Sequence, residues 1–138
     1  MSEHHKLMVR LFDNYSLLRK GKENKTLQSF NDFSTQLLRH IECEEEIIFP
    51  LIETKFNPVS VPTYMLRKQH IKIKKYLGEI LYNLKKHLYN TDDLEQGLKK
   101  LLDCHNATEE YTIYSWIDYL INEKEKQKVL MTKLSQVN

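Results

Sequence analysis

The block His-x-x-x-Glu-Glu occurs twice, 65 residues apart, as His40, Glu44 and Glu45 and again as His105, Glu109 and Glu110. A helix rises about 1.5 Å per residue, so positions i and i+4 lie one turn apart on one face, and each His/Glu pair can present two metal-ligating groups to one interior. The repeat continues past these groups. Ile48-Phe49-Pro50-Leu51-Ile52-Glu53 aligns with Ile113-Tyr114-Ser115-Trp116-Ile117-Asp118, apolar on apolar, aromatic on aromatic and acid on acid. Further histidines precede each block: His70 lies 35 residues before His105, and His5 and His4 lie 35 and 36 before His40. This pattern predicts two helix pairs packed about an approximate two-fold axis.

Length and composition agree with one helical domain. A chain of 138 residues, 41% hydrophobic, can bury one core but not two ordinary ones. With three glycines and three prolines there are few turns, so the elements between them are long. The net charge of +2, with lysines scattered among glutamates, makes no case for nucleic acid or a membrane surface. The longest strongly apolar run, Ile47 to Ile52, is far too short to cross a bilayer, and the start lacks a cationic segment followed by an apolar one. Cytoplasm is the expected location. Cys43 and Cys104, without Cys-x-x-Cys spacing, are expected to be reduced and buried.

Along the chain, Leu7, Leu11, Tyr15 and Leu18 form the apolar stripe of a first helix that Gly21 ends. A second helix begins near Asn24 or Thr26 and carries Phe30, Phe33, Leu37, His40, Glu44, Ile47 and Leu51, with Pro50 kinking its last turns. Residues 57–62 link the halves. The third helix bears His70, Ile73, Leu77, Ile80, Leu81 and Leu84, and Thr91-Asp92-Asp93 caps a fourth bearing Leu94, Leu98, Leu101, Leu102, His105, Glu109, Ile113, Trp116 and Leu120. Continued to the end, that helix would run about 44 residues, roughly 66 Å, so a break near Asn122 and a short tail helix over 123–138 are expected. The expectation is an all-α, up-down four-helix bundle in one domain, with helix pairs 1–57 and 62–122 as the repeat.

A lone histidine in an apolar stripe is usually a hydrogen-bonded core residue. Four of them with two glutamates at one level of four helices would be costly to bury unpaired, and a cation pair relieves that cost. The expected ligands are His4, His40, Glu44, His70, His105 and Glu109. His4 is chosen over His5 by helix phase, since it shares a stripe with Leu7, Leu11 and Leu18, whereas His5 falls with Met8, Phe12 and the charged Arg19. Glu45 and Glu110 rotate roughly 100° away from the ligand glutamates; they, with His5, are candidates for holding a ligand in place from behind. His87 reads as a surface or terminal residue. Six ligands of this kind suit two carboxylate-bridged ions, iron first, with zinc and manganese behind it.

Together, Glu3-His4, His40-x-x-x-Glu44 followed by Phe49-Pro50, Gln69-His70-x-x-Ile73 and His105-x-x-x-Glu109 followed by Tyr114 resemble the hemerythrin-like, or HHE cation-binding, family over Glu3 to Leu120. The resemblance implies a four-helix bundle around an oxo- or hydroxo-bridged di-iron centre. Glu44 and Glu109 would bridge, and His4, His40, His70 and His105 would be terminal ligands. Oxygen-carrying members have a further histidine four residues after the one matching His70, where this chain has Lys74. The remaining set is similar to the di-iron domain of iron-sulfur cluster repair proteins, which also carry a cysteine-bearing amino-terminal domain not found in these residues. The implied functions are binding or reaction with dioxygen, nitric oxide or peroxide, or iron supply for cluster repair under stress. The alternative is a metal- or gas-dependent sensing module that signals to a protein partner.

Overall fold

The computed structural model describes residues 2–21, 25–55, 63–114 and 131–134. Helix α1 (Ser2–Gly21) is followed by α2 (Thr26–Cys43), a π-helical turn π1 (Glu44–Ile48) and α3 (Phe49–Glu53), which together make one continuous rod. Helices α4 (Thr63–Lys85) and α5 (Asp92–Thr108) follow, the latter running into a second π-helical turn, π2 (Glu109–Ile113). No strand occurs among the described residues, and none of their helices is long and apolar enough to cross a membrane.

Contacts between the rods run in opposite senses along sequence. Phe12 meets Phe33 and Tyr15 meets Phe30 between α1 and α2. His70 meets His105 between α4 and the last rod, and Glu53 on α3 pairs with Arg67 on α4. The first rod closes on the last through Tyr15 with Glu95 and Arg19 with Asp92. Each neighbour is therefore antiparallel, which is the expected up-down bundle.

The apolar interior is divided into two groups. The larger includes Phe12, Tyr15, Phe30, Phe33, Leu37, Ile73, Leu77, Ile80 and Leu98; the smaller joins Ile48, Phe49, Ile52, Leu66 and Ile113, with Leu134 packed against it. Between them lies a layer of buried histidines and glutamates.

The phase of α1 differs from expectation. Its buried side is His5, Met8, Phe12, Tyr15 and Arg19, with Leu7 and Leu11 only partly covered. Arg19 is buried because it is paired: its guanidinium meets the Glu95 carboxylate, and it donates to Asp92 Oδ1 at 2.5 Å and the Tyr89 carbonyl at 2.6 Å. Glu95 also accepts from Ser16, Tyr15 and Thr91. A charged residue thus occupies a core position, so the stripe holding His5 is the inward one.

The second rod also shifts, after Glu44. Ile48 and Ile52 are buried in place of Ile47 and Leu51. The cause is π1, where the Phe49 N–H reaches back five residues to the Glu44 carbonyl and so admits one extra residue. Cys43 is buried, whereas Cys104 is exposed, one position off the inward face that His105 occupies; both are free thiols. At the end of α4 the chain turns through His87 in the left-handed region (φ 59°), its N–H donating to the Leu84 carbonyl while Leu88 N–H donates to Asn83, a Schellman closure. His87 is exposed, as expected. The expected linker at 57–62, break near Asn122 and most of the tail helix lie outside the described residues, of which 131–134 are helical.

Candidate metal centre

Four rods deliver one layer of side chains. His5 comes from α1, His40 and Glu44 from the second rod, His70 from α4, and His105 and Glu109 from the last; all six are buried. Their ligating atoms form two overlapping groups, His5, His40, Glu44 and Glu109, and Glu44, His70, His105 and Glu109, with the atoms of each group within 4.8 Å of one another. Both glutamates belong to both groups, so one layer offers two overlapping sets of ligating atoms.

The imidazoles point consistently. Each directs Nε2 inward: His5 to Glu109 at 3.4 Å, His40 to Glu44 at 3.4 Å, His70 to Glu44 at 3.0 Å and His105 to Glu109 at 3.2 Å. The Nε2 atoms of His70 and His105 stand 3.1 Å apart. Two nitrogens this close could be held by one ion.

Each imidazole is held from behind through Nδ1. The outer partner is Glu110 for His5 (3.2 Å), His4 for His40 (2.5 Å), Glu45 for His70 (2.8 Å) and Gln69 for His105 (2.7 Å). These partners repeat at the 65-residue offset, Glu45 with Glu110 and His4 with Gln69, just as His5 repeats with His70. An outer hydrogen bond of this kind fixes the tautomer with its lone pair on Nε2 and orients the ring. The expected roles of His4 and His5 are therefore exchanged in space: His5 faces the cluster, and His4 stands behind His40. The phase of α1 around the buried Arg19 is the physical reason. Gln69 is not among the expected site residues, and the fixed 65-residue offset is the signal that finds it.

Both π turns begin at the inner glutamates. Just after π1, Pro50 has no N–H to give, and Arg67 donates to the Glu45 carbonyl at 3.4 Å; in π2 the Thr112 hydroxyl donates to the Thr108 carbonyl at 2.6 Å and the Tyr114 N–H reaches back to the Glu109 carbonyl. Both widened turns start at corresponding residues, Glu44 and Glu109.

The donor set fits cations. His40 Nε2, Glu44 Oε2 and both carboxylate oxygens of Glu109 are buried without a hydrogen-bond partner, an arrangement that costs several kcal/mol unless something cationic lies among them. Burial opposes the charge on Glu44, yet the facing imidazoles of His40, His105 and His70 hold its carboxyl well below the usual range. Burial, aided by repulsion from His40, lowers His5; burial also lowers His105. Neutral His5 and His105 beside an ionised Glu44 are in the protonation states that metal binding requires. Lys74, four residues after His70, is half exposed and lies 3.9 Å from Glu45, on the outer side.

A family model for the hemerythrin HHE cation binding domain matches residues 1–117. The chain belongs to the hemerythrin HHE family. No curated protein and no solved structure gives a significant match. As a hemerythrin domain it is a metal-binding bundle, and its buried His/Glu layer is where a metal would be held.

Proposed function

We propose that this hemerythrin domain is a di-iron protein, with His5 and His40 on one ion, His70 and His105 on the other, and Glu44 and Glu109 bridging. The observation that carries this reading is the sharing of both buried glutamates by the two ligand groups, with four of the cluster's polar atoms unpartnered. Iron is favoured by the mixed imidazole and carboxylate donors. Four histidines and two bridging carboxylates leave coordination positions open, and an open redox-active pair takes dioxygen, nitric oxide or peroxide. The apolar groups on either side exclude water, and the outer partners set ligand basicity. Anaerobic ferrous titration of the metal-free protein tests the proposal: two equivalents per chain, followed by an optical change on exposure to oxygen or nitric oxide, are expected. Fewer equivalents, or zinc retained in preference to iron, would contradict it. Rapid loss of the bound iron to an acceptor would favour iron supply.

A second reading, metal-dependent sensing, draws on Leu134. It packs on the group containing Phe49 and Tyr114, the aromatics beside His70 and His5, so the segment at 131–134 is placed to feel a change at the centre. Metal-dependent protection of that segment from hydrogen exchange, without gas reactivity, would favour this reading.

A further inference from the structure

The two halves of the centre match residue for residue at the 65-residue offset except where Phe49 in one half corresponds to Tyr114 in the other, and His4 to Gln69. Phe49 lies flat against His70, ring centres 5.4 Å apart at 15°. Tyr114 lies beside His5 at 5.8 Å and 31°, and its hydroxyl is 3.0 Å from His5 Nε2. That nitrogen is the inward one. An ion held by His5 takes the lone pair with which the Tyr114 hydroxyl now bonds, and the phenol must then give its proton to another acceptor in the same space. On the opposite half a phenyl ring offers nothing of the kind.

Resting on the di-iron reading above, we infer that Tyr114 is the hydrogen-bond donor to a small anionic or diatomic ligand bound at the His5 half of the centre. The hydroxyl makes this half the more favourable for a ligand that accumulates negative charge, such as azide, superoxide or peroxide. It donates to that ligand and is not itself a metal ligand.

Azide binding to the diferric protein, followed optically, is the test. Tyr114→Phe copies the side chain already present at 49, so iron stoichiometry should stay at the parental value while azide affinity falls roughly threefold to tenfold, the range for one neutral hydrogen bond. In the parent protein the vibrational frequency of bound azide should shift between light and heavy water, and the shift should vanish in Tyr114→Phe. Unchanged azide affinity, or no solvent isotope shift in the parent, overturns the inference and leaves the di-iron reading standing. Loss of iron in Tyr114→Phe also overturns it, since the hydroxyl would then be serving the metal. A parent that binds no iron pair overturns both.

Discussion

The Nδ1 atoms of His4 and His40 stand 2.5 Å apart, so His4 holds His40 from behind as Gln69 holds His105. A carbonyl oxygen such as that of Gln69 can only accept, and it fixes His105 with its proton on Nδ1. His4 does the same for His40 if its own Nδ1 is the acceptor. His4→Gln should then preserve metal binding, because the repeat already uses glutamine in this role. His4→Ala should weaken one of the two ions by about tenfold to a hundredfold and leave the other unchanged. His5→Ala should lose one ion outright. Calorimetric ferrous titration of the three variants separates these outcomes, and a greater loss in His4→Ala than in His5→Ala would reverse the assignment.

The bridging role makes a different prediction for the glutamates. Glu44 and Glu109 each belong to both ligand groups, so on the proposed di-iron reading removing either should act on both ions. Glu44→Ala or Glu109→Ala should abolish cooperative uptake of the second iron and lower the affinity for the first. The isotherm should change from one steep two-equivalent step to a shallow step near one equivalent. Full stoichiometry and affinity in both variants would exclude bridging.

Acid should destabilise the metal-free protein. Burial, then repulsion by His40 and His5, brings His4 down to about 4 from 6.5, and burial likewise lowers His5 and His105. Between those lowered values and 6.5 the unfolded chain binds protons that the folded chain does not, so stability falls as pH drops through 6.5. Glu44, held well below 4.5, adds a loss of the same sign below pH 4.5. Denaturant melts of chelator-treated protein at pH 7, 6 and 5 should show a steadily falling midpoint, whereas a flat profile would contradict the burial of neutral imidazoles. Loaded protein should be more stable at each pH, the gap narrowing as protons compete for the ligands.

Period and repeat made the bundle legible from sequence. The stripe Phe30, Phe33, Leu37, His40, Glu44 is buried as its spacing predicts, as are His70, Ile73, Leu77, Ile80 and Leu84. Two features that binary patterning does not encode account for the differences. Arg19 scores as surface because a charged residue is seldom buried, yet its partner Glu95 is 76 positions away and invisible to a local window. The π turns add a residue at Glu44 and at Glu109, so Ile48 and Ile52 take the places expected of Ile47 and Leu51. The 65-residue offset carries information that phase does not: it links His5 to His70 and His4 to Gln69, which is how the structure places both histidines of α1.

The Arg19 and Glu95 pair should therefore matter more than a surface ion pair. Both are about 5% exposed, and Glu95 collects donors from Ser16, Tyr15 and Thr91 as well. Arg19→Met leaves the carboxylate buried without its cation and should cost about 3–5 kcal/mol. Replacing both, as Arg19→Met with Glu95→Met, should recover part of that loss but not all, because the hydroxyls of Tyr15 and Thr91 then lose their acceptor. Urea midpoints of the single and double variants measure the difference. The pair lies at the opposite end of α1 from His5, and the two ends of that helix meet the last rod separately, one through Arg19 and one through His5 with Glu110. If Arg19 sets the rotation of α1, Arg19→Met should also lower affinity for the ion held by His5 and His40 while sparing the ion held by His70 and His105. Equal loss at both positions would show that the pair supports the bundle as a whole and does not aim His5.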